Sequence, residues 1–216
     1  TFGFQSAISL ATEGIDCIHT TAASHNRVFM VEIMGHKAGW LTLNAGIAGG
    51  ADIILIPEIP YDIDSVIAKI RQRAASSNGF TILAVAEGAI SKKEAEMGKK
   101  EYKKHMAEVL EKYPSVSYAI ADKILKKTGK EVRVTVPGHM QRGGTPCAYD
   151  RVLSSRLGTT AALMISKEEY GNMVAIQNHV ITSVPLKEIA GKLKTIDPKS
   201  DIITEARLLG ISFGDD

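Results

Sequence analysis

The sequence predicts an α/β fold, a three-layer sandwich with a mostly parallel sheet. Short, β-branched apolar runs recur along the chain, and amphipathic helical patterns separate them. Most of the runs are apolar at successive positions, as strands covered on both faces are. With 216 residues, 44% of them apolar and 23% charged, the chain can bury a core in one or two domains.

A helical pattern of Phe4, Ala7, Ile8, Ala11, Ile15 and Ile18 opens the chain and is expected to give out across Thr20, Thr21, Ala22, Ala23 and Ser24. A buried strand follows over 27–33. Met34 to Lys37 then turns into a helix over 38–48, where Trp40, Leu43 and Ile47 form one stripe closed by Gly49 and Gly50. A strand over 52–57 precedes a helix that Asp62 and Asp64 start and that runs to Ala75. Residues 81–86 form a further buried strand. Residues 91–113 read as one long charged helix, its lysines balanced by Glu94, Glu96, Glu101, Glu108 and Glu111 on a solvated face. Then come a helix over 116–128, a strand over 131–136, a helix over 149–166, and either a strand pair or one long strand over 172–180.

Lys and Arg number 26 against 24 Asp and Glu, so no global field points to nucleic acid or an anionic membrane, and any anion binding must be local. Cys17 and Cys147 lack metal-ligand spacing and follow no secretory signal, which predicts free thiols in a reducing cytoplasm. No apolar run approaches the roughly 20 residues that span a bilayer. The chain opens on Thr1 rather than Met and is expected to be truncated.

Ligands of open α/β sheets bind beyond the carboxyl ends of the strands. Three expected strand ends carry chemistry: Met34 and Gly35; Glu87 and Gly88; and the run Pro137 to Gly144, which presents His139 and Arg142 between glycines. The Arg142 guanidinium suits phosphate oxygens and His139 can donate from its ring, so together they describe a phosphate or sugar-phosphate clamp. A plain tight turn, with Arg142 paired to an acid, is the structural alternative. Glu87 can accept from sugar hydroxyls, or can cap a helix or stand in solvent. Arg27 and Arg133 begin their strands, on the opposite rim, and by themselves read as surface residues. GxxxxGK[ST], GxGxxG, HExxH and GxSxG patterns are missing. The donor cradle, divalent metal and base that phosphoryl transfer needs are not evident.

Several blocks taken together resemble the phosphofructokinase family: TFGFQSAISLATEGID from Thr1, SHNRVFMVEIMGHKAGWLTLNAGIAGGADIILIPE from Ser24, AVAEG from Ala84 and VPGHMQRGGTPCAYDRVLSSRLG from Val136. The resemblance implies a phosphofructokinase-like fold and phosphorylation of fructose 6-phosphate at its 1-hydroxyl, giving fructose 1,6-bisphosphate in glycolysis. By it, His139 and Arg142 bind the sugar phosphate, Met34 and Gly35 touch it, Glu87 accepts from its hydroxyls, and Arg27 and Arg133 reach the phosphate in a neighbouring subunit's site. A homo-oligomer, dimer or tetramer, follows.

The same resemblance places the Gly-rich donor loops, the residues holding Mg2+ and the catalytic base before Thr1. It therefore leaves no catalytic residue in this chain, which alone is expected to be inactive and to need the missing N-terminal half. Residues 4–141 plus 193–216 would form the sugar lobe, and 142–192 would belong to the donor lobe, exposing Leu153, Leu157, Ala161 and Met164 without it. His36 stands where relatives often carry Arg, making its charge pH-dependent. Asp52 aligns with a carboxylate that holds an effector-linked metal in some relatives, but the allosteric arginines cannot be traced and regulation is not expected. The expected donor is ATP, with pyrophosphate as the alternative, since the AGWLTLNAGIAGGADIILIPEIPYD block resembles members in which both are used. Two other classes remain: a non-catalytic sugar-phosphate-binding or oligomerisation module, and a dinucleotide-dependent oxidoreductase suggested only by the α/β alternation.

Overall fold

The computed structural model describes residues 2–22, 27–75 and 79–216, and these divide into two compact units. Of the described residues, the larger holds those within 8–143 and 195–216, and the smaller those within 2–7 and 144–194. Helix α1 (Phe4–Ala22) begins in the smaller unit and continues in the larger, where Ala11, Ile15 and Ala22 are its buried positions. Its end at Ala22 leaves Ala23 and Ser24, part of the expected fraying segment, outside the described residues.

The larger unit is built on four parallel strands in the order β2 (Ile53–Leu55), β3 (Thr81–Ala86), β1 (Val28–Ile33) and β4 (Val132–Thr135). Every residue of β1, β2 and β3 is buried, so both sheet faces are covered and the strands need no polar alternation. Helices α2 (Trp40–Ala48), α3 (Ile63–Ala74) and α6 (Val116–Thr128) pack on this sheet. Asp62 caps α3 by accepting from the Asp64 N–H, and Gly129 ends α6 in the left-handed conformation (φ 67°). The tail shields the β2 edge: Ile54 N–H donates to Ser212 O, Ser212 N–H donates to Asp52 O, and Phe213 is fully buried after α9 (Asp201–Leu208).

The single charged helix expected over 91–113 is two helices, α4 (Lys92–Ala95) and α5 (Lys99–Lys112). Ser91 and Glu94 close a reciprocal capping box around α4, and extended Gly98 starts α5 afresh, so the charge periodicity conceals a break. The Pro137–Gly144 loop contains a 3₁₀ turn, Gly138–Arg142.

In the smaller unit α7 (Ala148–Ser166) accompanies an antiparallel hairpin of β5 (Asn172–Gln177) and β6 (Val180–Pro185), followed by the single turn α8 (Leu186–Ile189). The strand pair is thus the correct alternative for 172–180, extended by the second strand. Asn178 (φ 49°) and His179 (φ 66°) both take the left-handed conformation that a two-residue hairpin turn requires. Asp150 ties α7 to the start of α1, accepting from the Ser6 N–H (2.7 Å) and hydroxyl (2.6 Å). Leu153 and Met164, expected to be exposed, are buried, and Leu157 and Ala161 are half-buried; Tyr149, Val152, Leu163 and Ile165 face outward instead. Periodicity gives the helix but not its rotation. Both cysteines are free.

Candidate functional site

The carboxyl rim of the parallel sheet gathers most of the residues singled out in the sequence. β1 ends at Ile33, and the chain leaves it through Met34, Gly35 and His36. β3 ends beside it, and Glu87 N–H continues the ladder to Ile33 O at 2.9 Å. The Glu87 carboxylate turns back over this junction, its Oε1 accepting from Gly35 N–H (3.1 Å) and His36 N–H (2.6 Å). Glu87, half-buried, is therefore not a helix cap; it organises the 35–36 backbone, and these two bonds leave its Oε2 unused. Glycine is required on both sides. A Cβ on Gly35 would lie 2.6 Å from Ala38 O, and one on Gly88 would overlap His36 O. His36 itself adopts φ 54°, an uncommon conformation for a side-chain-bearing residue.

The 3₁₀ turn joins this rim through Gln141, which sequence reasoning missed. Gln141 is buried, its Oε1 accepting from Met34 N–H at 3.1 Å and its Nε2 donating to Gly138 O at 3.3 Å. One amide thus pins the turn to the end of β1, while His139 and Arg142 on either side of it stay exposed. Met34, Gly35, Glu87, His139 and Arg142 consequently share one rim. The arrangement offers a carboxylate acceptor, backbone at the strand end, and a guanidinium with an imidazole, a set matched to a hydroxylated anion.

Arg27 and Arg133 are not brought to it. Arg27 precedes β1, and Arg133 stands opposite Phe29 in the β1–β4 register, so both lie toward the amino rim, about 20 Å of strand from the end of β1 for Arg27 and about 13 Å for Arg133. There they converge on one carboxylate, with Arg27 Nε 3.6 Å from Glu131 Oε2 and Arg133 Nη2 2.8 Å from Glu131 Oε1. Asp52 is paired with Arg73 at 2.8 Å and accepts from Ile82 N–H at 2.9 Å.

A cavity of about 690 Å³ adjoins Glu87 and His36, lined also by Glu32, Glu94, Met97 and Tyr102. Glu32, a carboxylate inside an otherwise apolar strand, is buried and accepts from Ser115 Oγ (2.6 Å) and Ser117 N–H (3.1 Å), fixing the start of α6. Glu58 does the same for α2 and the tail, accepting from Gly39 N–H (3.0 Å) and Ile196 N–H (3.1 Å). Burial pushes the Glu94 carboxyl up, but the Ser91 N–H and hydroxyl, His105 and Lys123 outweigh it and hold it below the usual carboxylate range. Among the described residues no three His, Cys, Asp or Glu side chains converge as metal ligands would, and no helix is long and apolar enough to cross a membrane.

Known proteins share this chain's sequence and fold. The phosphofructokinase family profile matches residues 1–165. The ATP-dependent 6-phosphofructokinases of Spirochaeta thermophila and Chloroflexus aggregans are 50% and 46% identical to it, each over 100% of this chain and 58% of their own length. The chain thus spans under two thirds of those relatives. A solved phosphofructokinase from Saccharomyces cerevisiae superposes with a TM-score of 0.69 at 30% identity, covering 100% of this chain and 26% of that one. The pyrophosphate-dependent phosphofructokinase from Nitrosospira multiformis superposes at 0.73 but is 18% identical, a likeness of fold alone, over 98% of this chain and 54% of that one. With the family profile covering most of its residues and the strand-end blocks meeting on one rim, this chain belongs to the phosphofructokinase family.

Proposed function

We propose that the chain supplies the fructose 6-phosphate-binding part of an ATP-dependent 6-phosphofructokinase, a cytoplasmic enzyme of glycolysis that makes fructose 1,6-bisphosphate. The single observation that carries this reading is the Gln141 link, which sets His139 and Arg142 beside the Met34–Gly35 backbone and Glu87. In it Arg142 and His139 hold the sugar phosphate ester, Met34 and Gly35 line the sugar, and the free oxygen of Glu87 accepts from its hydroxyls. Arg27 and Arg133, on the far rim of their own sheet, serve the phosphate in a neighbouring subunit's site, which requires a homo-oligomer, dimer or tetramer.

Residues 4–141 with 193–216 form the sugar lobe in this reading, and 142–192 complete the lobe that binds the donor. The chain spans 58% of the length of its relatives, and this reading assigns the donor, and mainly also Mg2+, to the part that it does not span. There the ion would neutralise charge on the transferring phosphoryl group. ATP is favoured over pyrophosphate because the relatives at 50% and 46% identity are named for ATP.

The test is Arg142→Ala in the full-length enzyme. Half-saturation by fructose 6-phosphate should rise by roughly one to two orders of magnitude, with ATP affinity little changed, as loss of a charge-assisted contact predicts. An unchanged value removes Arg142 from the site and the reading with it.

A further inference from the structure

A second cavity lies in the larger unit, away from Glu87 and the 3₁₀ turn. It measures about 450 Å³ and is lined by Lys92, Lys93, Lys123, Lys126 and Lys127, with Asp62 as the acidic member of the lining. Five ammonium groups around one cleft repel one another unless anions answer them. The carboxylates nearby are already engaged. Asp64 takes Lys127 at 2.5 Å and Asp122 takes Lys126 at 2.6 Å. Asp62 is bound to the α3 backbone as its cap, and Glu94 is held by Ser91 and His105. Asp215 and Asp216 are both drawn to Arg207, and Lys92, which has no ion pair among the described residues, donates to the carbonyl oxygen of Asp215 at 3.0 Å. Lys93 and Lys123 have no ion pair among the described residues, although Lys123 acts through space on Glu94. The amino end of the 12-residue α3 adds its positive pole to the same cleft, whose lining includes Ile63 and Asp62.

From this convergence we propose that the cleft between the α3 start, α4 and α6 is a binding site for a small, multiply charged phosphorylated anion, held by Lys92, Lys93 and Lys123. Lysine ammoniums are mobile point charges without a fixed fork, which suits phosphoryl oxygens presented in several geometries. The volume accommodates more than a single phosphate group. The site also has a route to the sugar rim. The one-turn α4 separates the two cavities: Ser91, Lys92 and Lys93 line the basic one, Glu94 and Ala95 the one at Glu87. An anion that draws Lys123 away from Glu94 acts on the capping box that holds this wall.

The binding claim stands apart from the catalytic reading, and its test uses the full-length protein with methylenediphosphonate, a diphosphate analogue that cannot donate a phosphoryl group. Titration calorimetry without magnesium at low ionic strength should show saturable binding in the wild type. A Lys93→Ala/Lys123→Ala variant should bind at least about tenfold more weakly, and Lys93→Arg/Lys123→Arg should return to within about threefold of the wild type. Both lysines are exposed, so the unfolding midpoint should hold in these variants. Arg142→Ala should leave this affinity unchanged. The proposal is overturned by absence of saturable binding, by wild-type affinity in the Lys93→Ala/Lys123→Ala variant, or by a loss that appears with Arg142→Ala and not with the lysine pair.

Discussion

The two units solve burial differently. In the larger, β1 and β3 are hidden at every position, and apolar residues from the helices and the tail close over them into one core. In the smaller, α7 buries Leu153 and Met164 while Leu163 (55% exposed) and Ile165 (62%) look outward, and the hairpin leaves Met173 and Val180 in solvent. The residue types are alike in the two units. What differs is whether the chain supplies a covering layer, so an apolar pattern identifies an element but not the surface that will cover it.

The largest expected effect sharpens that contrast. Leu83→Ala, fully buried in β3, should cost about 3 kcal/mol in urea unfolding, from lost transfer energy plus a cavity. Leu163→Ala in α7 of this chain should cost less than about 0.5 kcal/mol. Equal losses would break the comparison. A smaller effect is expected where backbone crowds backbone: Gly88→Ala must move the His36 carbonyl and should cost about 1–3 kcal/mol while weakening fructose 6-phosphate binding. A stable variant with unchanged half-saturation would show that this junction has slack.

The smallest effect concerns α4. Glu94→Gln weakens the capping box and should cost about 1 kcal/mol at neutral pH. The folded-state pKa of Glu94 is lowered, so its contribution is present above the unfolded carboxylate value, near 4.3, and is lost as pH falls through the lower folded value. Stability curves of wild type and variant should therefore converge on acidification; a constant gap would mean that the carboxylate charge is not what matters.

Much of the fold was legible because strand and helix patterns are local. Positions 81–86 and 116–128 match the observed elements, and Glu87 and the 137–144 run follow from the rule that ligands gather at strand ends. The polar residues that assemble the rim were not legible. Gln141 meets Met34 across 107 positions, Glu32 meets Ser115 across 83, and Glu58 meets Ile196 across 138. Nothing in the neighbouring sequence marks such partners, since a buried polar group is identified by what it satisfies. Glu32 did carry one signal, a charge inside the run VFMVEI. The break between α4 and α5 was hidden for a related reason: evenly spaced charges continue across Gly98, and the Ser91–Glu94 capping box marks the start of α4, where one long helix would also begin.

The carboxylate shared by Arg27 and Arg133 carries one negative charge, whereas a phosphate monoester at neutral pH carries nearly two. If a neighbour's sugar ester is what these arginines receive, Glu131 acts as a placeholder that the ester can outbid and a free sugar cannot. On the reading proposed above, the pair would act as a valence filter, separating a sugar phosphate from an uncharged sugar by charge before any hydroxyl is read. The ester's advantage over Glu131 would shrink as it becomes a monoanion, around pH 6, while an uncharged sugar would stay excluded.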